Sequence, residues 1–306
     1  MAIQTVSVIG LGALGTMYAQ RLTAALPQGQ ARVIANDERS KRYTQQDVFC
    51  NGEACNFTYI APGANLPPAD LVIFATKYPH LSQAIQDARS QIGPNTILLS
   101  VLNGIVSEQD LCRAFGPQNV LYCVAQGMDA TKTGNQLKYK AFGMLCFGEK
   151  DGQPGPNAKA VASFFDATGI PYQLRTDMQR HLWSKFMLNV GVNQTAAVYG
   201  THYRGLQQAG EEHELMLAAM REVLVLSQKE GVNLTDADIE YWMPILNALN
   251  PKGIPSMRQD IDARRPTEVD LFAGTVLTLG KKHGVPTPVN QQLYNRIREI
   301  ESTFAD

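Results

Sequence analysis

The chain has 306 residues, of which 44% are hydrophobic and 18% are charged. Its formal net charge is −1, and no run of lysine or arginine is longer than a pair, which argues against nucleic-acid partners and a membrane-surface patch. No apolar stretch approaches the roughly 18 residues of a transmembrane helix, and the first predicted strand begins where a signal peptide would lie, so we expect a cytoplasmic location. The five cysteines form no Cys-x-x-Cys pair, so we expect reduced thiols and no metal site.

The most informative segment lies near the N-terminus, where the apolar run Val6–Ile9 ends abruptly in glycines. The glycine turn consists of Gly10, Leu11, Gly12, Ala13, Leu14 and Gly15. In a dinucleotide-binding turn, the first glycine allows a sharp turn, the second lets the backbone approach the phosphates, and the third lets the helix pack on the strand. The helix N-terminus adds a positive dipole end. We predict that these six residues bind a dinucleotide; a plain glycine-rich turn is the alternative.

Short apolar strands alternate with helical segments in the first half of the chain. The predicted strands are 31–35, 71–75, 96–100 and 120–124, and the predicted helices are 79–91 and 107–115. Uninterrupted apolar strands are buried on both faces, and this alternation indicates a parallel sheet. We predict an α/β fold with an N-terminal Rossmann-type doubly wound parallel sheet, the dinucleotide-binding domain, in residues 1–175. From 176 to 306 the pattern predicts an all-α domain that carries substrate and catalytic residues.

Three polar residues of the second half, Lys185, Asn189 and Asn193, recur at four-residue spacing. On a helix each step of four turns the side chain by only about 40°, so the three share one narrow stripe. The residues between them are almost entirely apolar, which is typical of a helix that lines a cavity. The alternative is that the two asparagines are buried amides bonded to nearby backbone, with Lys185 reaching water. A lysine in a partly dry cleft has a lowered pKa and can act as a general acid, which carbonyl reduction requires.

Further polar residues stand where strands or helices begin and end. Lys77 and Asn103 follow predicted parallel strands, at the edge where ligands bind, although an exposed lysine and a turn asparagine are the simpler interpretations. In the second half, Ser256 and Glu268 stand out. A helix N-cap and an acid in a first helical turn are the corresponding alternatives for them.

Taken together, these motifs resemble the ketopantoate reductase family, the 2-dehydropantoate 2-reductases. The similarity covers nearly the whole chain, through the glycine turn, Thr76-Lys77, Asn103-Gly104, the stripe from Lys185 to Asn193, Ser256-Met257, and Arg265 to Glu268. The resemblance implies NADPH-linked reduction of 2-dehydropantoate to (R)-pantoate, a step toward pantothenate and coenzyme A.

The resemblance also implies a role for each matched residue. Lys185 would be the general acid, and Glu268 would bind the substrate hydroxyl and help to position that lysine. The residues implied to bind substrate are Asn103, Asn189, Asn193 and Ser256. Those implied to bind the cofactor are the glycine turn, Asn36, Asp37, Lys77 and Asn103.

One position departs from the family pattern. Members that use NADPH commonly have an arginine after the second strand, where this chain has Asn36 followed by Asp37. A carboxylate there favours NADH, unless Asp37 caps the next helix and a nearby basic residue, Arg39, Lys41 or Arg42, reaches the 2′-phosphate. NADP(H) and NAD(H) therefore both stay open.

Two other functions are alternatives to the reduction of 2-dehydropantoate. One is an NADH-dependent D-2-hydroxy acid dehydrogenase for another branched or aromatic 2-oxo acid, and the other is a non-catalytic NAD(P)-sensing protein. The apolar helix surface of the second half also allows a homodimer.

Overall fold

The computed structural model describes residues 2–305, and the chain divides into two compact units after Gln179. The strands, all in the first unit, are β1 (Val6–Ile9), β2 (Ala31–Ile34), β3 (Phe49–Cys50), β4 (Glu53–Ala54), β5 (Thr58–Ile60), β6 (Leu71–Phe74), β7 (Ile97–Ser100), β8 (Val120–Gln126), β9 (Thr131–Thr133), β10 (Gln136–Lys138), β11 (Met144–Gly148) and β12 (Tyr172–Leu174).

The helices of the first unit are α1 (Ala13–Ala25), α2 (Asp37–Gln46), α3 (Leu81–Ala88), α4 (Ser107–Phe115) and α5 (Pro156–Thr168). The helices of the second unit are α6 (Met178–Tyr199), which begins two residues before the division, α7 (Tyr203–Gln207), α8 (Glu211–Lys229), α9 (Asp236–Asn247), α10 (Ser256–Asp262), α11 (Thr275–His283) and α12 (Pro288–Ser302).

Eight strands form one sheet in the order β12-β11-β8-β7-β6-β1-β2-β5. Every neighbouring pair is parallel except β8 with β11. The chain runs outward from β1 to β2 and β5, then returns to the other side of β1 with β6 and continues outward. The strand order therefore reverses between β1 and β6. Such a reversal is the point at which open α/β sheets bind ligands.

Both faces of this sheet are covered by helices. Alternate strand residues enter two separate apolar clusters, because successive side chains of a strand point to opposite faces. Val8 packs in the cluster that contains Met17 of α1, and Val72 packs in the cluster that contains Leu81 of α3. The predicted Rossmann-type doubly wound, mostly parallel sheet is confirmed.

A second, smaller sheet in the first unit has the order β4-β3-β10-β9. In it β10 pairs antiparallel with β9 and parallel with β3. Its strands have only two or three residues each, too few for a hydrophobic period, and the sequence analysis identified none of β3, β4 and β9 as strands. This sheet matters because β9 carries Lys132, whose side chain extends to the glycine turn.

The second unit is helical, and residues 180–305 contain no strand, so the all-α prediction is confirmed. No helix within residues 2–305 is both long enough and apolar enough to span a membrane. Helix α6 is buried along most of its length.

A buried glutamine ties α6 to two later segments. Gln194 accepts a hydrogen bond from the backbone N–H of Ala273 (3.0 Å) and donates one to Asn290 Oδ1 (3.0 Å). Ala273 lies in a π-helical turn, Asp270–Gly274, and Asn290 lies in α12. Because Ala273 and Asn290 are fully buried, the Ala273 N–H and Asn290 Oδ1 need a partner inside the protein, and Gln194 supplies it.

We expect Gln194→Leu to lower the free energy of unfolding by roughly 1–3 kcal/mol, because a buried donor and a buried acceptor lose their partner. Urea denaturation followed by tryptophan fluorescence measures this loss, since Trp183 and Trp242 both lie in the second unit. The matched control is Gln291→Leu, at an exposed position of α12, where the change stays within about 0.5 kcal/mol. Equal stability of the two variants would contradict the bridging role.

Candidate active site

The strand register brings the predicted cofactor residues to one edge of the large sheet. The residues aligned at the carboxyl ends of the four central strands are Ile34, Ile9, Phe74 and Ser100. The predicted residues that follow this row within a few positions are Asn36, Asp37, Gly10, Lys77 and Asn103. These residues therefore lie along one edge of the sheet, in the spatial order of the strands β2, β1, β6 and β7. The glycine turn follows β1, which is one of the two strands between which the strand order reverses.

Two glycines of the turn are required by its own backbone. Gly10 has φ +97°, a conformation that side chains disfavour. A Cβ on Gly15 would lie 1.8 Å from the Gly10 carbonyl oxygen. A Cβ on Gly12, in contrast, would meet protein at no less than 3.7 Å, an ordinary contact to Ala75. The backbone thus excludes a side chain at positions 10 and 15, whereas position 12 is open for the approach of a ligand.

The glycine turn also presents a helix N-terminus. Helix α1 begins at Ala13 with Gly12 as its N-cap, and the Thr16 N–H donates to the Gly12 carbonyl at 3.0 Å. The N–H groups before Thr16 have no partner within the helix, because the first turn of any helix lacks acceptors for them. Such a terminus suits an anion such as a pyrophosphate. The residues present therefore fit a dinucleotide.

At the end of β2, Asn36 and not Asp37 caps the next helix. Asn36 Oδ1 accepts a hydrogen bond from the Arg39 N–H at 2.9 Å, and Asp37 is the first residue of α2. The sequence-based suggestion that Asp37 could be the N-cap is therefore wrong. Asp37 and Glu38 are exposed, and with Asn36, Ala61 and Pro62 they line a shallow, open cleft of about 410 Å³.

Lys77 and Asn103 follow neighbouring strands. Lys77 is exposed and immediately precedes a short 3₁₀ turn, in which the His80 N–H donates to the Lys77 carbonyl at 2.9 Å. Asn103 is partly buried and precedes Gly104, whose φ is +91°. A side chain at position 104 would be strained, so the loop that carries Asn103 has a backbone specified by glycine.

A buried chain of hydrogen bonds, which the sequence analysis missed, links the end of β7 to the start of α4 on either side of the Asn103 loop. The Ser100 hydroxyl donates to Ser107 Oγ at 2.8 Å, and Ser107 donates to the Glu108 carboxylate at 3.0 Å. Burial raises the pKa of Glu108 to about 7, although hydrogen bonds from Ser107 and nearby backbone oppose the shift. The sequence does not indicate that these side chains are buried, because Ser and Glu at the start of a helix normally face water.

In the second unit, the polar stripe of α6 joins the N-terminus of α10. The Asn193 amide donates to Asn189 Oδ1 at 3.4 Å. Its own oxygen accepts bonds from the Ser256 hydroxyl (3.0 Å) and from the Met257 N–H (3.2 Å). The structure thus brings Asn189, Asn193 and Ser256 together. It also supports part of the alternative interpretation, because the Asn193 oxygen bonds to backbone.

Lys185 stands on the same stripe, in an aromatic environment. Its Nζ lies 5.3 Å from the centroid of the Trp242 ring, and the Trp242 indole donates to Ser184 Oγ at 2.8 Å, which fixes the ring. Burial lowers the pKa of Lys185 to about 8, because a desolvated ammonium is less stable than a hydrated one. The group is still mostly protonated at pH 7 and releases its proton more readily than an exposed lysine does.

Glu268 lies just before the π-helical turn and is partly buried. Its carbonyl accepts the Phe272 N–H at 3.0 Å, and the Phe272 ring packs 6.4 Å from the ring of Phe186 on α6, centroid to centroid. The π-helical turn that follows Glu268 is therefore attached to α6, the helix of Lys185, by the contact between the Phe rings and by the hydrogen bond to Gln194. Single-turn π-helical segments are frequent at functional sites. Within residues 2–305, no three His, Cys, Asp or Glu side chains are grouped to hold a metal ion.

Comparisons with known proteins identify the family of the chain. The family model described as ketopantoate reductase PanE/ApbA matches residues 6–152, and the model for the C-terminal part of the same family matches residues 177–301. A curated relative, the 2-dehydropantoate 2-reductase of Vibrio cholerae, is 26% identical over 237 residues, which cover 78% of this chain and 79% of the relative.

Two solved structures share the fold. A D-mandelate dehydrogenase in a ternary structure with NADH and anilino(oxo)acetate has a TM-score of 0.86 at 21% identity, covering 99% of this chain and 100% of that one. A dimeric ketopantoate reductase from Staphylococcus aureus has a TM-score of 0.78 at 20% identity, covering 98% and 99%. At these identities the likeness shows the fold alone.

Family membership follows from the two family models, which together span most of the chain. The non-catalytic NAD(P)-sensing interpretation is not supported by it, because the family model and the curated relative are both named as reductases. The chain belongs to the ketopantoate reductase family and is an NAD(P)-dependent oxidoreductase that acts on CH–OH groups.

Proposed function

We propose that this enzyme reduces 2-dehydropantoate to (R)-pantoate, with Lys185 as the general acid. The observation that carries the proposal is the desolvated Lys185 ammonium on one helical stripe with Asn189 and Asn193, the latter bonded to Ser256. The name of the curated V. cholerae relative supports the choice of substrate. We assign cofactor binding to residues 1–175, and substrate binding and catalysis to 176–306.

The nicotinamide of a dinucleotide bound at residues 10–15 would supply the hydride for the carbonyl carbon of the substrate. Lys185 donates its proton to the carbonyl oxygen as negative charge develops there. The lowered pKa makes this donation easier than it would be for an ordinary lysine. Glu268 accepts a hydrogen bond from the substrate hydroxyl and, with Lys185, completes the proposed catalytic pair.

The neutral side chains of the stripe would orient the substrate. Because the Ser256 hydroxyl proton is directed to Asn193, the lone pairs of Ser256 Oγ can accept a bond from a substrate hydroxyl. Asn189 and Asn193 add amide groups that bind hydroxyl or carboxylate without adding charge. On the first unit, we assign the pyrophosphate to residues 10–15, the ribose to Asn36 and Asp37, and the contacts near the reacting centre to Lys77 and Asn103.

A second candidate is an NADH-dependent D-2-hydroxy acid dehydrogenase that acts on another branched or aromatic 2-oxo acid. The observation that favours it is the pair of exposed carboxylates, Asp37 and Glu38, in the cleft at the end of β2. The D-mandelate dehydrogenase that shares the fold was solved with NADH. The two candidates use the same catalytic pair and differ in cofactor and in substrate.

We also propose that the enzyme is a homodimer. The dimeric S. aureus ketopantoate reductase, which has the same fold over nearly the whole chain, supports this assembly.

Steady-state oxidation of NADPH and NADH, measured in parallel with 2-dehydropantoate and a panel of bulky 2-oxo acids, tests the proposed function. We expect 2-dehydropantoate to give the highest kcat/KM, because the proposed site pairs a general acid with groups for both a hydroxyl and a carboxylate. Faster turnover of another 2-oxo acid with NADH would replace this proposal by the second candidate. Absence of turnover with every pair would contradict both.

Lys185→Met is expected to lower kcat by roughly 10² or more, because the general acid is lost while the aliphatic stem keeps its packing. The dissociation constant of NAD(P)H, measured by fluorescence titration, should stay at the wild-type value. Lys229→Met, at an exposed lysine of α8, is the matched control with unchanged kcat. An unchanged kcat in Lys185→Met would remove this lysine from the mechanism.

A further inference from the structure

A lysine from the small sheet reaches the glycine turn. Lys132 lies on β9, more than 100 residues after the turn, and its Nζ donates to the Leu11 carbonyl (2.5 Å) and to Thr16 Oγ1 (3.0 Å). The Thr16 hydroxyl in turn donates to the same carbonyl at 3.3 Å. The ammonium, the hydroxyl and the carbonyl thus form a closed triangle on the residues that begin α1.

Lys132 donates its hydrogen bonds to uncharged oxygen atoms, and the residue is only partly exposed. No carboxylate forms an ion pair with it in the part of the chain that the structure describes. Lysines removed from water are normally paired with an acid, because desolvation of a lone charge is costly. A lone ammonium against a phosphate-binding turn is therefore suited to an anionic ligand.

We propose that Lys132 is a positioning residue for the dinucleotide, which holds the glycine turn through the Leu11 carbonyl and contributes the positive charge that the pyrophosphate requires. This inference rests on the proposed binding of NAD(P)H at residues 10–15. It assigns part of the cofactor affinity to the small sheet, an element outside the doubly wound sheet.

A change of pH can separate the effect of the Lys132 charge on cofactor binding from the effect of its hydrogen bonds. Burial lowers the pKa of Lys132 to about 8; the nearby Cys55 thiol opposes this shift, and Arg42 on α2 adds a smaller lowering. The Cys55 thiol also faces the lysine; burial raises the pKa of this thiol to about 12, so it stays neutral in the working range. A neutral amine still donates hydrogen bonds to Leu11 and Thr16. Raising the pH through 8 therefore removes the charge and leaves the donors in place.

The test is the dissociation constant of NADH and of NADPH, measured by fluorescence titration without substrate from pH 7 to 9.5. For the wild type we expect the dissociation constant to rise about 5- to 10-fold as the pH passes 8, since one charge contact is worth on the order of 1 kcal/mol. Lys132→Met should bind about 10-fold more weakly at pH 7 and show no pH dependence. Lys132→Arg, which stays charged, should bind tightly at pH 7 and at pH 9.5.

Two further variants are controls. Lys138→Met changes an exposed lysine of the adjacent strand β10, and we expect its affinity and pH profile to match the wild type. Gly12→Val, in which the new side chain occupies the space open to the ligand, provides the signal of a chain that does not bind cofactor.

The outcomes separate this inference from the proposed function. A wild-type dissociation constant that is flat from pH 7 to 9.5, or a Lys132→Met variant with wild-type affinity and pH profile, overturns the role of Lys132 alone. A flat wild-type pH profile overturns the role even where a variant folds poorly. A wild type that behaves like Gly12→Val toward both dinucleotides overturns the proposed cofactor site as well. If the enzyme does not reduce 2-dehydropantoate, the conclusion about Lys132 from these binding measurements is unchanged.

Discussion

Desolvation of lysine ammonium groups is the physical constraint on which the chemistry of this enzyme depends. Lys185 lies against an aromatic ring in the second unit, and Lys132 bonds to two neutral oxygens in the first. In each case burial lowers the pKa to about 8, from an ordinary value of 10.5. A lowered pKa eases proton donation by Lys185, and the positive charge of Lys132 attracts an anion; these are the two proposed functions.

Rigid elements hold the residues that surround these two amines. In the first unit, four aligned parallel strands end in one row, so the loops that follow them share one edge of the sheet. In the second unit, the buried helix α6 carries the polar stripe, and it binds its neighbours through Asn193 and Gln194. Sites on helices and strand ends keep their geometry better than sites on free loops. The turn after Glu268, Asp270–Gly274, departs from regular α-helix and is π-helical.

Local spacing predicted much of this arrangement, and long-range contacts account for what it missed. The glycine turn and the four-residue stripe are patterns within one element, and the doubly wound sheet follows from the alternation of apolar strands and helices. In contrast, Lys132 contacts a residue 121 positions away, and Gln194 contacts one 79 positions away. Neither has a sequence signature, because one looks like a surface lysine and the other like a core amide. The Asn36 cap was missed because Asn and Asp compete equally for that position.

The measurement that tests the central role of Lys185 most directly is an NMR titration of the chain with ¹³C-labelled lysine side chains. The Lys185 signal is identified by its absence from the spectrum of Lys185→Met. A desolvated general acid predicts a titration midpoint near pH 8. A midpoint near the ordinary 10.5 would show a hydrated amine and would contradict the proposed mechanism.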